Sequence, residues 1–591
     1  GGKMYLMGGL DIVNSAGSEN DPEIAFTSDN ADTFIAANAS KSLTLKGALH
    51  TRGIVNIENS ITIKGNNKLD GMPNRGVSLS VISGSANISG SVTLPDGNAL
   101  FVKSGSLGIG GDVNMASVVY NYGKLYILGN LNVDWNKTKY ISDRDGEDND
   151  MRTGYSLKNG QTIGTVDAYL YIGGTNDLKF YGYVQNFGEI YSNAGMRVRG
   201  WCDMPGSAIM CDTAFINFKN AKAHFGGTVD LNSNAFYNGE NSVFDCGGDY
   251  TYGIVTINLG SFAAAGNVEM NKINVDQNTV NSPKWRNSKS MSFMNGFEKI
   301  DGAEYKNATV YVGGDLKLGS SKLEGNAGSY FTMGKTYIGG DLLDYCNRAN
   351  AYYATAIWAF NFSNTFIGGD CFGGAGIATG NNSIFMVGGD YQSRRSTKIN
   401  IEMFSYSALD ATFYSFCDDN RSYRDEFNKD PKKYRSAYFY VGGNMLCNTI
   451  GASLWTSSAS KVPENNTRDT DIYSNSNVYV GGSMYANSKL YMKQNVTLAV
   501  AGNKKLNDTS TLDGILGAIE NGTIKANIQN LLNSDDYKLF VFQCLDENIC
   551  SKIIVNGSMF VRDTAKMRDM TKNYIAGNFK GNDYVEIGKS L

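Results

Sequence analysis

Few residues in this chain have the types and spacing that chemistry asks for. The densest acidic run is Asp143-Arg144-Asp145-Gly146-Glu147-Asp148-Asn149-Asp150. Carboxylates alternating around a glycine suit calcium, which takes roughly six to eight oxygen ligands. Asp143, Asp145, Glu147, Asp148 and Asp150 are the candidate ligands of a Ca2+ loop. The glutamate that such a loop carries at its last position is replaced by Gly154. A solvated acidic loop is therefore the stronger reading and calcium the weaker.

Nine cysteines include no C-x-x-C pair, which argues against a zinc ribbon or a thioredoxin-type site. Cys202/Cys211 and Cys544/Cys550 are close enough in sequence to close small loops as disulfides, and would then imply an oxidising compartment. Buried thiols are the alternative. His50 and His224 are the only histidines. A Ser-His-Asp set or a histidine metal site would have to use one of them, and a hydrogen-bonded structural role is the simpler reading. No G-x-S-x-G, H-E-x-x-H, P-loop or strand-to-helix G-x-G-x-x-G is present.

One carboxylate does recur. Gly-Gly-Asp between apolar residues appears at Gly110-Gly111-Asp112, Gly247-Gly248-Asp249, Gly313-Gly314-Asp315, Gly339-Gly340-Asp341, Gly368-Gly369-Asp370 and Gly388-Gly389-Asp390. Thr175, Asn444 and Ser483 take the Asp place elsewhere. Stacked carboxylates repel unless turn N–H groups, interleaved polar residues or a cation compensate. The irregular substitution favours a turn role over a metal ladder, the side chain bonding its turn backbone. Exposed tyrosines, among the 35 present, could form a sugar-stacking surface, but alternating strands also bury aromatics.

What positions these residues is a repeat. The corners are 19 residues apart from Gly110 to Gly129, 21 from Gly226 to Gly247 and 20 from Gly368 to Gly388, while the 39 from Gly442 to Gly481 read as two units. A unit near 20 residues, holding short alternating strands such as 124–128, is one coil of a parallel β-helix. The expected fold is thus all-β, a β-solenoid whose stacked coils enclose one continuous core. Gly-Gly suits a corner where a residue needs φ > 0 and stacked backbones approach closely. A propeller blade would need about 40–45 residues.

Intervals 134–166, 272–305, 394–436 and 452–477 read as loops extruded from the coils. The third, with Arg394, Arg395, Asp418, Asp419, Lys432 and Lys433, is a solvated decoration or a lateral contact patch. Near the end the period becomes helical, at Leu512, Ile515, Leu516 and Ile519 and again at Ile524, Ile528, Leu531 and Leu532. This gives a β-helix over 1–505, a small α+β module over 506–573 and final strands over 574–591.

Composition narrows the function classes. The chain has 69 glycines and seven prolines in 591 residues, where average usage gives roughly 40 and roughly 30. Collagen and proline-rich disorder are excluded, and 42% hydrophobic content excludes plain disorder. A net charge of −4 leaves no basic field for nucleic acid. No uninterrupted apolar run of about 18 residues marks a membrane span.

The phrases Val312-Gly313-Gly314-Asp315-Leu316 and Ile338-Gly339-Gly340-Asp341-Leu342, in coils of about 20 residues, resemble bacterial surface proteins with long parallel β-helices, including those carried behind pilin-like leaders, and more distantly the bactofilin solenoids. The resemblance covers most of 1–505 and returns at 575–591. It implies an extracellular structural protein whose leader has been removed. The repeat starts at Tyr5 and recurs at 575–579, so head-to-tail stacking into a pilus-like filament or surface layer is the expectation. The rivals are an adhesin whose loops bind glycan, and a polysaccharide lyase or hydrolase, which needs clustered carboxylates or basic groups in one groove.

Overall fold

A computed structural model describes residues 23–25, 32–35, 42–68, 76–95, 99–134, 155–200, 213–232, 234–253, 255–270, 292–296, 307–318, 329–344, 357–359, 363–373, 376–380, 383–393, 396–401, 437–447, 470–472, 476–486, 490–492, 496–500, 551–555, 558–561, 564–567, 570–575, 578–581 and 584–587. The chain divides into two units, 1–264 and 265–591. Both are parallel β-solenoids, with three strands to a coil. No α-helix occurs among the described residues, and none there is long and apolar enough to cross a membrane.

One coil of the first unit runs Ala99–Val102, Ser106–Ile109, Val113–Met115, and the next runs Val119–Asn121, Lys124–Ile127, Leu131–Val133. Each strand pairs in parallel with its equivalent: Leu100 with Val119, Leu107 with Leu125, Val113 with Leu131. Stacking these coils gives three faces. The second unit repeats the scheme, for example pairing Tyr337 with Phe366 and then Phe366 with Met386 on its second face. One antiparallel pair, Asn67–Lys68 against Gly76–Val77, departs from the parallel rule.

Local sequence explains each face. Second-face strands alternate: Leu125 and Ile127 are buried while Lys124 and Tyr126 are exposed, the period-two pattern of a half-buried strand. First-face strands such as Ala99–Val102, Ala235–Asn238 and Val255–Asn258 are buried throughout. Phenylalanines pack inside the first unit: Phe215 stacks on Phe236 at 5.2 Å and Phe244 on Phe262 at 5.3 Å, while Phe236 and Phe244 meet at a tilt, 4.7 Å apart. Such ring pairs add about 0.5–1.5 kcal/mol beyond area burial.

Two expectations need correction. Each interval read as a loop contains a first-face strand: Tyr155–Asn159, Ser292–Asn295, Ser396–Ile401 and Thr470–Ile472. Strands of this face, buried on both sides where side chains are described, do not show the alternation used to find strands. Second, the 39 residues from Gly442 to Gly481 make one coil with a long insertion, because Gly482 N–H donates directly to Gly443 C=O at 2.8 Å. Coil strands also resume at Ser551–Val555, which pairs with Thr497–Val500, ahead of residue 574. The helical segments read over 512–532 lie outside the described residues.

Candidate functional site

The Gly-Gly-Asp corners fall between the second and third faces and stack on one another. In the second unit they form a continuous side-chain ladder. Asn267 Oδ1 accepts from Asp315 N–H at 2.8 Å, and Asp315 Oδ1 from Asp341 N–H at 2.9 Å. Asp341 Oδ1 then accepts from Asp370 N–H, and Asp370 Oδ1 from Asp390 N–H, both at 2.7 Å. Asp390 Oδ1 accepts from Asn444 N–H at 2.6 Å and Asn444 Oδ1 from Ser483 N–H at 3.0 Å. Each side chain therefore bonds the next coil, not its own turn as expected. One accepting oxygen is all the position requires, which explains why Asn substitutes freely for Asp. The first unit uses the same device, with Ser91 Oγ accepting from Asp112 N–H and Asp112 Oδ1 from Asn130 N–H.

This ladder accounts for the glycines. A Cβ on Gly340, Gly369 or Gly389 would overlap Oδ1 of Asp315, Asp341 or Asp370, and one on Gly314 would overlap Asn267 Oδ1. A Cβ on Gly313 would overlap the Ala265 carbonyl, and one on Gly388 the Gly368 carbonyl. The close-approach reason holds. The positive-φ reason is overturned: among the described glycines the left-handed ones are Gly53, Gly84, Gly105, Gly160, Gly164 and Gly296. Of these, Gly53, Gly84 and Gly105 turn the opposite corner, between first and second faces. Gly-Gly is kept for space, and single glycines elsewhere for conformation.

Electrostatics fit a bonded carboxylate column. The Asp370 carboxyl is held above the usual range by burial first. The N–H of Asp390 opposes this, and the charges of Asp341 and Asp390 reinforce it. Lys317 Nζ lies 3.1 Å from Asp315 Oδ2. No group of three metal-capable side chains is gathered among the described residues. The calcium candidates Asp143, Asp145, Glu147, Asp148 and Asp150 lie outside those residues, as do Cys202, Cys211, Cys544 and Cys550. Cys246 and Cys371 are buried free thiols, and Cys447 is buried as well. Burial, then the Asp245 charge, pushes the Cys246 thiol up to about 12, so it stays protonated and unreactive.

Sequence reasoning missed a second ladder. From Val119–Asn121 onward, the first-face strands of unit 1 end in buried asparagines whose side chains bond in series: Asn121 Nδ2 to Asn159 Oδ1 at 2.7 Å, then Asn159 to Asn186, Asn186 to Asn217, Asn217 to Asn238 and Asn238 to Asn258, at 2.7–2.8 Å. Each amide also donates to the carbonyl that opens a following second-face strand, such as Glu189, Lys222 or Val243. The available signal was Asn closing an apolar triplet, as in Ala235-Phe236-Tyr237-Asn238 and Val255-Thr256-Ile257-Asn258.

The histidines separate. His50 is buried, its Nδ1 2.8 Å from Ser80 Oγ. His224 faces outward, its Nδ1 2.5 Å from Asp245 Oδ2 in the next coil and its ring 5.6 Å from that of Tyr191. No family model, curated protein or solved structure matches this chain.

Proposed function

We propose that this chain is an extracellular structural protein that self-associates into a pilus-like filament or surface layer, and that it is not an enzyme. One observation supports the reading most. The repeated polar side chains, the Asp column of the corners and the Asn column of the interior, each bond the neighbouring coil. Side chains committed to stacking make the coils rigid and regular, and they are not poised in a groove to transfer protons as a glycosidic reaction demands. The resemblance of the Gly-Gly-Asp coil phrases to those of bacterial β-helix surface proteins points the same way.

Electron microscopy of native material and of purified, concentrated protein tests it. Fibres or sheets with a regular axial repeat are expected. Protein that stays monomeric at high concentration with no ordered assembly would remove the filament. Uronate release from polygalacturonate or alginate would replace it with an enzyme.

A further inference from the structure

The outward side of the second face in unit 1 carries an aromatic row. Strands Lys124–Ile127, Tyr169–Ile172, Glu189–Ser192, Lys222–Phe225 and Val243–Cys246 run in register, so Tyr126, Tyr171, Tyr191, His224 and Asp245 form one outward column. Lys124, Tyr169, Glu189 and Lys222 form the column beside it. The rings lean on one another: Tyr126 with Tyr169 at 5.5 Å, Tyr171 parallel to Tyr191 at 6.0 Å, and Tyr191 with His224 at 5.6 Å. They are not spent on the core, for Tyr126 is 36% and Tyr191 46% exposed. Neighbouring rings hold each other in place, so little rotamer freedom remains to be lost on binding.

We propose that this face binds an extended, uncharged polysaccharide, laid along the stack with successive sugar rings against Tyr126, Tyr171, Tyr191 and His224. Three features select this occupant. The column advances by about 4.8 Å per strand, a step of the same order as one pyranose in an extended chain, so over a few strands successive sugars can fall near successive rings. A pyranose presents C–H bonds on its faces and hydroxyls around its rim, and an aromatic ring flanked by polar groups matches both. Most of the flanking charge is matched within the row: Lys222 Nζ is 2.7 Å from Glu189 Oε1, and His224 is bonded to Asp245. A polyol can hydrogen-bond to these pairs without breaking them. An acidic polysaccharide or a nucleic acid would instead meet Glu189 and Asp245, with Lys124 as the one cation of these two columns outside the two pairs.

The equivalent column in unit 2 runs Tyr311, Tyr337 and Phe366 and later Tyr440 and Tyr479, but Phe366 and Tyr440 are buried, so the exposed row is that of unit 1, and it stands or falls separately from assembly. Affinity electrophoresis of the whole chain in native gels tests it. Hydroxyethyl cellulose, galactomannan and glycol chitin are the neutral probes, and polygalacturonate and poly(dT) the anionic ones. Retardation by at least one neutral polymer is expected. Tyr171→Ala with Tyr191→Ala should raise its apparent dissociation constant about tenfold or more, while Tyr191→Phe, which keeps the ring, stays within about twofold. Melting curves report whether each variant is folded. Should the double variant unfold, Tyr126→Ala alone carries the test. Failure of all three neutral polymers to retard the chain, retardation by an anionic polymer only, or binding indifferent to the Tyr→Ala changes in folded protein overturns the proposal.

Discussion

Gly389 has no room for a methyl group. Its Cβ would overlap Asp370 Oδ1, the atom that accepts the Asp390 N–H, and would crowd the Gly369 backbone as well. Gly389→Ala must displace one coil from the next, at a cost of about 1–3 kcal/mol. Gly108 points outward, where a Cβ meets only the amide end of the Asn87 side chain, so Gly108→Ala should stay within about 0.5 kcal/mol. Urea denaturation midpoints check both, and equal effects would refute the tight corner. His224 makes a separate prediction. Its hydrogen bond to Asp245 raises its pKa above 6.5, against an opposing desolvation. A raised histidine stabilises the fold fully below its unfolded value of about 6.5, and that contribution is lost as pH rises through the folded value. The pair is partly exposed, so the contribution is at most about 1 kcal/mol. With two histidines in the chain, NMR of isotope-labelled histidine follows it directly. Asp245→Asn should move the titration of that one resonance to lower pH.

At the scale of strands, what could be read from sequence depended on which atoms meet. Gly-Gly-Asp was legible because a backbone-to-side-chain overlap allows no other residue, and this mark alone located the corners and the parallel stack. Strands such as Lys124–Ile127 were legible because one side is wet. Strands such as Ser292–Asn295 and Thr470–Ile472 were not, because their sequences carry no alternation. Pairings between coils were illegible as well. Nothing local tells Asn217 that its oxygen will meet Asn186 and its amide Asn238. Removing that side chain exposes the dependence. Asn217→Ala leaves one N–H of Asn186 and the Val243 carbonyl short of a partner in a dry interior, and should cost about 1–3 kcal/mol. A cost below about 0.5 kcal/mol in urea denaturation would mean that the column is ornamental to stability.

At the scale of the whole chain, scarce proline has a mechanical meaning: nearly every strand donates N–H groups to a neighbouring coil and has none to spare. Such a stack is quasi-one-dimensional, each coil touching chiefly the coils before and after it. Damage should therefore stay local, unlike damage to a globular core, where most elements share one set of contacts. Asn217→Ala provides the test within the first unit. Its direct partners lie in Tyr183–Asn186 and Ala235–Asn238, whereas Ala99–Val102 lies several coils away along the same face. Native-state hydrogen exchange should speed up by roughly tenfold or more at the two neighbouring strands, matching the expected loss of stability. It should be nearly unchanged at Ala99–Val102. Equal acceleration everywhere would show that the unit opens as one cooperative body and that the ladders transmit strain along the stack instead of confining it.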